Sequence, residues 1–270
     1  VITMGSESNR GALVIIGGAE DREGDCVVLR EFVRASGGTK ARIAVMTAAT
    51  GHPEEVGDTY IRAFERLGAE SVEVVGTESR KDSECKDGIQ IINQATGIFF
   101  TGGDQSRIVE FIKDSPLCDA IRKQHEAGAV VGGTSAGAAM MPDEMIIGGA
   151  SVSNPSVDAV RMGPGMGFLS GIVIDQHFAQ RGRLGRLLAA LVLHPAVLGL
   201  GIDEDTAIIV KGDEFEVVGQ GAITVVDETN STHNNLEGLL NDEAIALCDV
   251  KLHILPHGYR FNLKTHQPIV

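Results

Sequence analysis

The sequence predicts an α/β fold in which a doubly wound, mainly parallel sheet has helices on both faces and is followed by a β-rich C-terminal extension. From residue 11 onwards, short apolar, β-branched runs alternate with segments whose apolar residues recur at helical spacing. The apolar runs are continuous rather than alternating, which is typical of strands buried on both faces. Beyond residue 203 the helical segments end, and short strands joined by turns form the extension.

The elements follow one another without a long linker or an internal repeat, which favours one domain over residues 11–270. In the first half we expect five strands, ALVIIGG, ARIAVMT, SVEVVG, GIFFTGG and AVVGG. The helices of this half are expected at 26–36, 60–68, 84–93, 105–113 and 117–127. The second half begins with the strand GIVID, a helix at 183–193 and the strand LGLGID. The strands TAIIVK, EFEVVG, AITVVD and VKLHILP then either extend the sheet or form a small antiparallel layer.

Composition excludes several classes of function and location. The net charge of −14, without a basic cluster, makes nucleic acid an unsuitable partner. The four cysteines are scattered without a CxxC pair, which predicts reduced thiols and a cytoplasmic protein. No apolar run approaches the roughly 20 residues of a membrane helix. Residues 1–10 are polar, and we interpret them as a disordered tail or a cloning remnant rather than a signal peptide.

The stretch VVGGTSAGAAM at 130–140 contains one serine, Ser135, among residues with almost no side chain. Gly133–Gly137 fits the pattern G-x-S-x-G, which places a nucleophilic serine on a strained turn between a strand and a helix. The backbone N–H of Ala136 would then point at a developing oxyanion. The alternative is a glycine-rich turn that only packs a helix closely against a strand.

Two further glycine corners follow predicted strands. In FFTGGDQ, Gly103 could supply a second oxyanion donor, and Asp104 and Gln105 would face the substrate. An equally good interpretation is a plain turn in which Asp104 caps the next helix. The corner IIGGAED lacks the third glycine of G-x-G-x-x-G, so no dinucleotide site is expected there.

A serine nucleophile needs a general base, usually a histidine that is oriented by a carboxylate. Among eight histidines, His177 follows the strand GIVID and Gln176, at the edge of the sheet where Ser135 is expected. The next strand ends in Asp203, Glu204 and Asp205, and periodicity does not decide which of them reaches His177. The chain order serine, histidine, acid differs from the α/β-hydrolase order serine, acid, histidine.

The segment QRGRLGR at 180–186 places three arginines at the start of a helix, where the dipole favours acidic side chains instead. Arg183 and Arg186 are three residues apart and share one helix face. Guanidinium groups beside a candidate catalytic histidine would suit a substrate that carries carboxylates. The alternative is a solvated cationic face, or ion pairs within this acidic protein.

Together, GGTSAGA, TGGDQ, VIDQHF, QRGRLGRL and GLGIDEDTA resemble the cyanophycinase family of serine peptidases, which also contains aspartyl dipeptidase. The resemblance covers nearly the whole chain and implies a fold like that of the class I glutamine amidotransferases, with serine replacing the elbow cysteine. It implies exopeptidase cleavage of cyanophycin, a polyaspartate with arginine on each β-carboxyl, to β-aspartyl-arginine. It also implies a homodimer without a metal or other cofactor.

The resemblance implies roles for particular residues as well. The catalytic triad would consist of Ser135, His177 and Glu204, so the resemblance favours Glu204 over its neighbours. The substrate pocket would be formed by Asp175, Gln176, Arg181, Arg183 and Arg186, with Asp104 and Gln105 nearby.

The segment SVSNPSVDAVRMGPGMG at 151–167 does not match the family pattern at a place where substrate loops are expected. Two other functions therefore remain alternatives at this point. One is an α-aspartyl dipeptidase, against which the arginines and the longer C-terminal region argue. The other is a non-catalytic binding domain of the same fold.

Overall fold

A computed structural model describes residues 10–151, 154–194, 198–240 and 243–270. The tail expected at 1–10 lies outside these residues except for Arg10, and so does a small part of the unmatched segment at 151–167. Its helices are α1 (Val27–Ala35), α2 (Pro53–Arg66), α3 (Lys86–Gln94), α4 (Gln105–Ile112), α5 (Pro116–Glu126), α6 (Ala136–Ala139) and α7 (Leu184–Leu193). Short 3-10 turns lie at Gly38–Lys40, Arg80–Glu84 and Val157–Ala159.

The strands in the described ranges are short, with two to six residues each. Those of the first half are β1 (Leu13–Ile16), β2 (Arg42–Met46), β3 (Ser71–Val75), β4 (Gly97–Phe100), β5 (Val130–Thr134), β6 (Glu144–Gly148) and β7 (Arg161–Pro164). Those that follow are β8 (Ile172–Gln176), β9 (Leu198–Ile202), β10 (Thr206–Lys211), β11 (Glu214–Gly219), β12 (Ala222–Asp227), β13 (His233–Asn234), β14 (Leu247–Cys248), β15 (Lys251–Pro256), β16 (Arg260–Asn262) and β17 (Gln267–Ile269).

The main sheet has the order β17-β16-β11-β10-β1-β5-β4-β2-β3. The strands β1, β5, β4, β2 and β3 run parallel, while β10, β11, β16 and β17 continue the sheet in antiparallel fashion. Every residue of β1, β4 and β5 is buried, as the continuous apolar runs predicted. The predicted α/β fold class is confirmed: one half of the main sheet is parallel, and the β-rich extension supplies its antiparallel half.

Helices cover both faces of the main sheet. On one face, α1 and α2 pack an aromatic cluster in which Phe32, Tyr60 and Phe64 surround Phe99 of β4. The ring centroids of these three residues lie 4.9 to 5.2 Å from that of Phe99. On the other face, α3, α4, α5 and α6 contribute to a second core cluster. The amphipathic helices are thus held by the apolar surface that they bury on each side.

A second sheet, of order β15-β12-β9-β8, lies against the second core cluster. Its β8 and β9 are parallel, and its β12 and β15 are antiparallel to their neighbours. The opposite face of this sheet packs against α7 through Val173, Val226 and Leu187. Of the two alternatives for the C-terminal strands, β10 and β11 extend the main sheet, as the first expected. The strands β12 and β15 do not form a separate antiparallel layer but join β8 and β9 in this mixed sheet.

Two small hairpin-like pairs, β6 with β7 and β13 with β14, lie outside the two large sheets. The pair β6 and β7 includes part of the segment at 151–167 that does not match the family pattern.

Crossing a bilayer takes about 20 apolar residues in a helix. None of the helices in the described ranges combines that length with sufficient apolarity.

Candidate active site

Ser135 sits on the turn between β5 and α6 with φ 52° and ψ −107°, a conformation that L-residues rarely adopt. Its N–H donates to the carbonyl of Ile16 in the neighbouring strand β1, over 3.0 Å. A Cβ on Gly133 would lie 2.2 Å from the carbonyl oxygen of Gly137, and a Cβ on Gly137 would lie 2.4 Å from that of Phe100. The residues around Ser135 are therefore small because the turn leaves no space for side chains.

Ser135 is the first member of a hydrogen-bonded chain of three side chains. Its Oγ lies 3.1 Å from Nε2 of His177, and Nδ1 of His177 lies 2.6 Å from Oε1 of Glu204. His177 is buried, whereas the Glu204 side chain is 35% exposed. Because the carboxylate accepts the Nδ1 proton, Nε2 is left as the acceptor that faces the serine hydroxyl. This arrangement can remove a proton from Ser135 and later return it to a leaving group.

Parallel pairing of β8 with β9 brings His177 and Glu204 together, since both follow the carboxyl ends of these strands. The carboxylate of Asp203 instead accepts the N–H groups of Ala179 and Ala222, over 3.0 and 3.1 Å. The carboxylate of Asp205 accepts the N–H of Asp21 over 2.9 Å. Of the three acidic residues that the sequence left open, Glu204 is the one in contact with His177.

The glycine corner after β4 lies directly beside the Ser135 turn. A Cβ on Gly102 would be 3.4 Å from Cβ of Ser135. Within the part of the chain that the structure describes, the N–H groups of Gly103 and Ala136 donate to no protein acceptor. Both amides are thus available for a further hydrogen bond.

Asp104 and Gln105 lie at the start of α4. The Asp104 carboxylate accepts the N–H of Ser106 over 2.8 Å, so Asp104 caps the helix. The side-chain amide of Gln105 donates to the carbonyl of Ile146 over 2.6 Å. The helix-cap interpretation thus describes Asp104, although its exposed position also leaves it accessible to a substrate. Substrate contacts of Asp104 and Gln105 stay predictions.

Two of the three arginines point into the protein. Nε of Arg186 lies 2.8 Å from Oδ2 of Asp175, and Nη1 of Arg183 lies 3.1 Å from Oε1 of Gln176. Asp175 is 1% exposed, and Arg183 and Arg186 are buried with it. Burial lowers the pKa of Arg183, and the Asp175 carboxylate opposes that effect. Arg183 and Arg186 therefore form the internal ion pairs that the sequence kept as an alternative, while Arg181 is exposed.

The described residues contain no group of three or more His, Cys, Asp or Glu side chains that could hold a metal ion. The candidate site thus consists of the serine, histidine and glutamate chain, the two free amides and the neighbouring polar side chains. The described cysteines, Cys26, Cys85, Cys118 and Cys248, are free.

Comparisons with known proteins show which family the chain belongs to. The model of peptidase family S51 matches residues 13–218. The chain belongs to peptidase family S51. It is 42% identical over 262 residues to a protein of Geminocystis herdmanii named cyanophycinase, with 96% of each chain covered. It is 39% identical to a Trichormus variabilis protein of the same name, over 95% of this chain and 87% of the relative.

Among solved structures, a peptidase from an acI-B1 Actinobacterium has a TM-score of 0.67 to this chain, with 21% identity. The alignment covers 94% of this chain and 97% of that structure, which shows a shared fold. The family resemblance expected from the motifs is confirmed, and the protein is a peptidase.

Sequence reasoning did not find every residue next to the candidate site of this S51 peptidase. The sequence of the corner IIGGAED predicted only that no dinucleotide binds there, yet Gly17, Gly18 and Glu20 contact the segments of all three site residues. A usable signal existed, because the corner follows a buried strand that ends at the same sheet edge as β5. Pairing of β1 with β5, however, is not readable from one sequence.

Proposed function

We propose that this S51 peptidase is a serine exopeptidase that hydrolyses cyanophycin to β-aspartyl-arginine dipeptides. The main support is the hydrogen-bonded chain from Ser135 through His177 to Glu204. The relatives named cyanophycinase, at 42% and 39% identity over nearly the full chain, support the substrate. The acidic net charge of −14 is compatible with a polymer whose side groups are arginines.

In the proposed mechanism, His177 takes the hydroxyl proton of Ser135 as Oγ attacks an aspartyl peptide carbonyl. Glu204 stabilises the resulting imidazolium, and the amides of Ala136 and Gly103 bind the tetrahedral oxyanion. The C–N bond then breaks, and His177 gives its proton to the leaving amine. Water activated by His177 attacks the acyl-enzyme, which releases the dipeptide acid and restores the serine hydroxyl.

Substrate contacts are proposed for the polar residues at the edge of this site. Asp104 and Gln105 lie beside the free amide of Gly103, and exposed Arg181 follows the His177 turn. Arg181 suits a free carboxylate of the substrate, since its guanidinium can bind both carboxylate oxygens at once. The buried Asp175, Gln176, Arg183 and Arg186 would form the floor of the pocket.

We also propose that the protein acts in the cytoplasm as a homodimer, as the family resemblance implies. The four free cysteines are compatible with a reducing compartment. Light scattering coupled to size-exclusion chromatography should give twice the mass of the 28.5 kDa chain. A mass equal to one chain would contradict the dimer.

The first experiment is incubation of insoluble cyanophycin with wild-type protein and with Ser135→Ala. Wild type should release β-aspartyl-arginine into the supernatant, and Ser135→Ala should release none that mass spectrometry detects. Exposed Ser170 offers a matched control, since Ser170→Ala removes a hydroxyl at the surface and should leave turnover unchanged. Equal activity of wild type and Ser135→Ala would exclude Ser135 as the nucleophile.

Substrate class is tested with the same preparations. Wild type should cleave cyanophycin and soluble β-aspartyl-arginine oligomers of it faster than simple α-aspartyl dipeptides. Hydrolysis of α-aspartyl dipeptides alone would keep the triad and replace the proposed substrate. Absence of hydrolysis in every substrate, together with a Ser135 that resists a fluorophosphonate, would favour the non-catalytic alternative.

A further inference from the structure

The corner that follows β1, which we call the first corner (residues 17–20), lies at the centre of the site. The carbonyl of Gly17 accepts the N–H of His177 over 2.8 Å. The carbonyl of Gly18 accepts the N–H of Asp205, the residue after Glu204, over 2.9 Å. Immediately before the corner, the carbonyl of Ile16 accepts the N–H of Ser135. Three consecutive carbonyls therefore hold the three chain segments that carry the proposed triad.

Gly18 also lies against the imidazole itself. A Cβ at this position would be 2.4 Å from both Cε1 and Nε2 of His177, and real Cβ contacts are essentially never so short. Gly18 has φ +100°, which L side chains rarely adopt. The backbone of Gly18 therefore packs against the imidazole ring of His177. This contact restricts the position of Nε2, the atom that faces Ser135.

The carboxylate of Glu20 connects the first corner to the Ser135 turn. Glu20 is 4% exposed and accepts hydrogen bonds from the hydroxyls of Thr134 and Tyr60. Thr134 directly precedes Ser135 in the chain. Burial, followed by the negative charge of Glu20, raises the pKa of Tyr60 well above its ordinary value, so the phenol keeps its proton and donates.

A buried carboxylate is costly unless hydrogen bonds compensate its lost hydration. The proposed chemical steps do not use Glu20, and its two partners are hydroxyl groups of the core and the turn. Its position is explained if it restrains Thr134, and through it the strained backbone of Ser135. Such restraint is needed because backbone strain persists only where the surroundings determine the conformation.

We propose that the first corner is the positioning element of the triad, with Gly18 and Glu20 as positioning residues. Gly18 sets the imidazole of His177, and Glu20 holds the Ser135 turn through Thr134. The inference rests on the proposed function for its kinetic test, but its geometry does not depend on which peptide is cleaved.

The first test compares Gly18→Ala with Gly68→Ala. Gly68 also has a positive φ, +88°, but a Cβ there would meet no atom within 4 Å. Both variants therefore place an alanine at a positive φ, but only Gly18→Ala places a methyl group against His177. We expect Gly18→Ala to lower kcat by about 100-fold with KM nearly unchanged, since a displacement of about 1 Å can have that effect. Equal kcat values for the two variants would overturn the role of Gly18.

The second test uses two variants that each remove one hydrogen bond to Glu20. Thr134→Val removes the donor on the Ser135 turn, and Tyr60→Phe removes the donor on α2. We expect kcat to fall by about tenfold in Thr134→Val and to stay near the wild-type value in Tyr60→Phe, because only the first bond holds the turn. Equal losses of kcat in both variants would show that Glu20 contributes stability alone and would overturn its positioning role.

Nuclear magnetic resonance separates this inference from the proposed function. The Nδ1 proton shared by His177 and Glu204 should give a downfield resonance in wild type, and Gly68→Ala should retain its position. Gly18→Ala should shift or broaden it. If wild type does not cleave cyanophycin, the proposed function fails, and the resonance still decides. An identical resonance in Gly18→Ala and wild type would then overturn the inference.

Discussion

In the three segments that carry the proposed triad, three residues have backbone conformations that side chains normally avoid. Ser135, His177 and Asp205 have φ values of 52°, 48° and 46°. Each such residue costs about 1–3 kcal/mol and persists only when its surroundings fix it. Here the carbonyls of Ile16 and the first corner accept hydrogen bonds from the N–H groups of all three residues. Strain and its restraint therefore coincide at two residues of the proposed triad and at the residue after the third.

Glu204→Gln should reduce turnover while leaving the fold intact. The amide keeps the shape of the carboxylate but loses the charge that stabilises the His177 imidazolium, so kcat should fall by about 10²–10⁴-fold. Steady-state kinetics on cyanophycin fragments would measure this loss. Glu54→Gln, a change at an exposed position at the start of α2, is the matched control and should keep wild-type kcat. A kcat within a factor of about two of wild type would show that Glu204 does not assist His177.

His125 should make stability depend on pH. The residue is buried, its Nδ1 lies 3.0 Å from the carbonyl oxygen of Ala129, and burial lowers its pKa. The unfolded state then binds more protons than the folded state below the ordinary histidine pKa of about 6.5. The free energy of unfolding should decrease as the pH falls from about 7 towards 5. Urea unfolding at several pH values would measure this decrease, and His125→Gln should show a shallower one.

The helix α7 departs most from the usual charge pattern of helices, because three arginines lie at or near its N-terminus. A helix N-terminus disfavours positive charge, but β8 places the Asp175 carboxylate against Arg183 and Arg186. The ion pairs thus bind the start of α7 to the end of β8, directly before His177. The positive charge at the helix N-terminus is thus compensated by Asp175, a residue on a neighbouring strand.

Asp175→Asn should destabilise the protein strongly. Removing one charge leaves two buried guanidinium groups without a compensating carboxylate, and such changes cost about 3–5 kcal/mol. Urea unfolding would measure the loss. The exposed pair of Arg260 and Glu214 is the matched control, and Glu214→Gln should cost less than about 1 kcal/mol. Similar losses in both variants would show that the buried pair contributes no more than the exposed one.

The sequence predicted the elements better than their partners. Continuous apolar runs located β1, β4, β5, β8 and β9, and the glycine pattern located the Ser135 turn. The helix expected at 60–68 begins earlier, at Pro53, where a proline and two glutamates form a favourable first turn. That β8 and β9 leave the main sheet could not be predicted, because strand pairing depends on contacts between distant parts of the chain. For the same reason the contacts of Glu20 were not found.

At the scale of the whole molecule, both sheets and the helices between them share one core. The second core cluster contains side chains from β1, from β9 and from β16 near the C-terminus, including Phe261. We therefore propose that residues 11–270 unfold as one cooperative unit, in line with the single domain expected from the sequence.

Phe261→Ala tests this cooperativity. Phe261 is fully buried and stacks on Phe215 with ring centroids 5.5 Å apart, so its truncation should cost about 3–5 kcal/mol. Circular dichroism in urea should show one transition whose midpoint is lowered as a whole. A separate early transition, with the rest of the curve unchanged, would show that the C-terminal strands form an independent unit.

The first corner also determines when the site can form during synthesis. The hydrogen-bond partners of its residues include Thr134, His177 and Asp205, and Asp205 follows Gly18 by nearly 190 residues in the chain. Domains fold as units, and contacts so distant in sequence close late. A nascent chain that ends before β9 therefore lacks Glu204, and the corner bonds that position the histidine and the glutamate are not complete. On the proposed mechanism, peptidase activity therefore requires a chain that extends beyond β9 and includes Glu204.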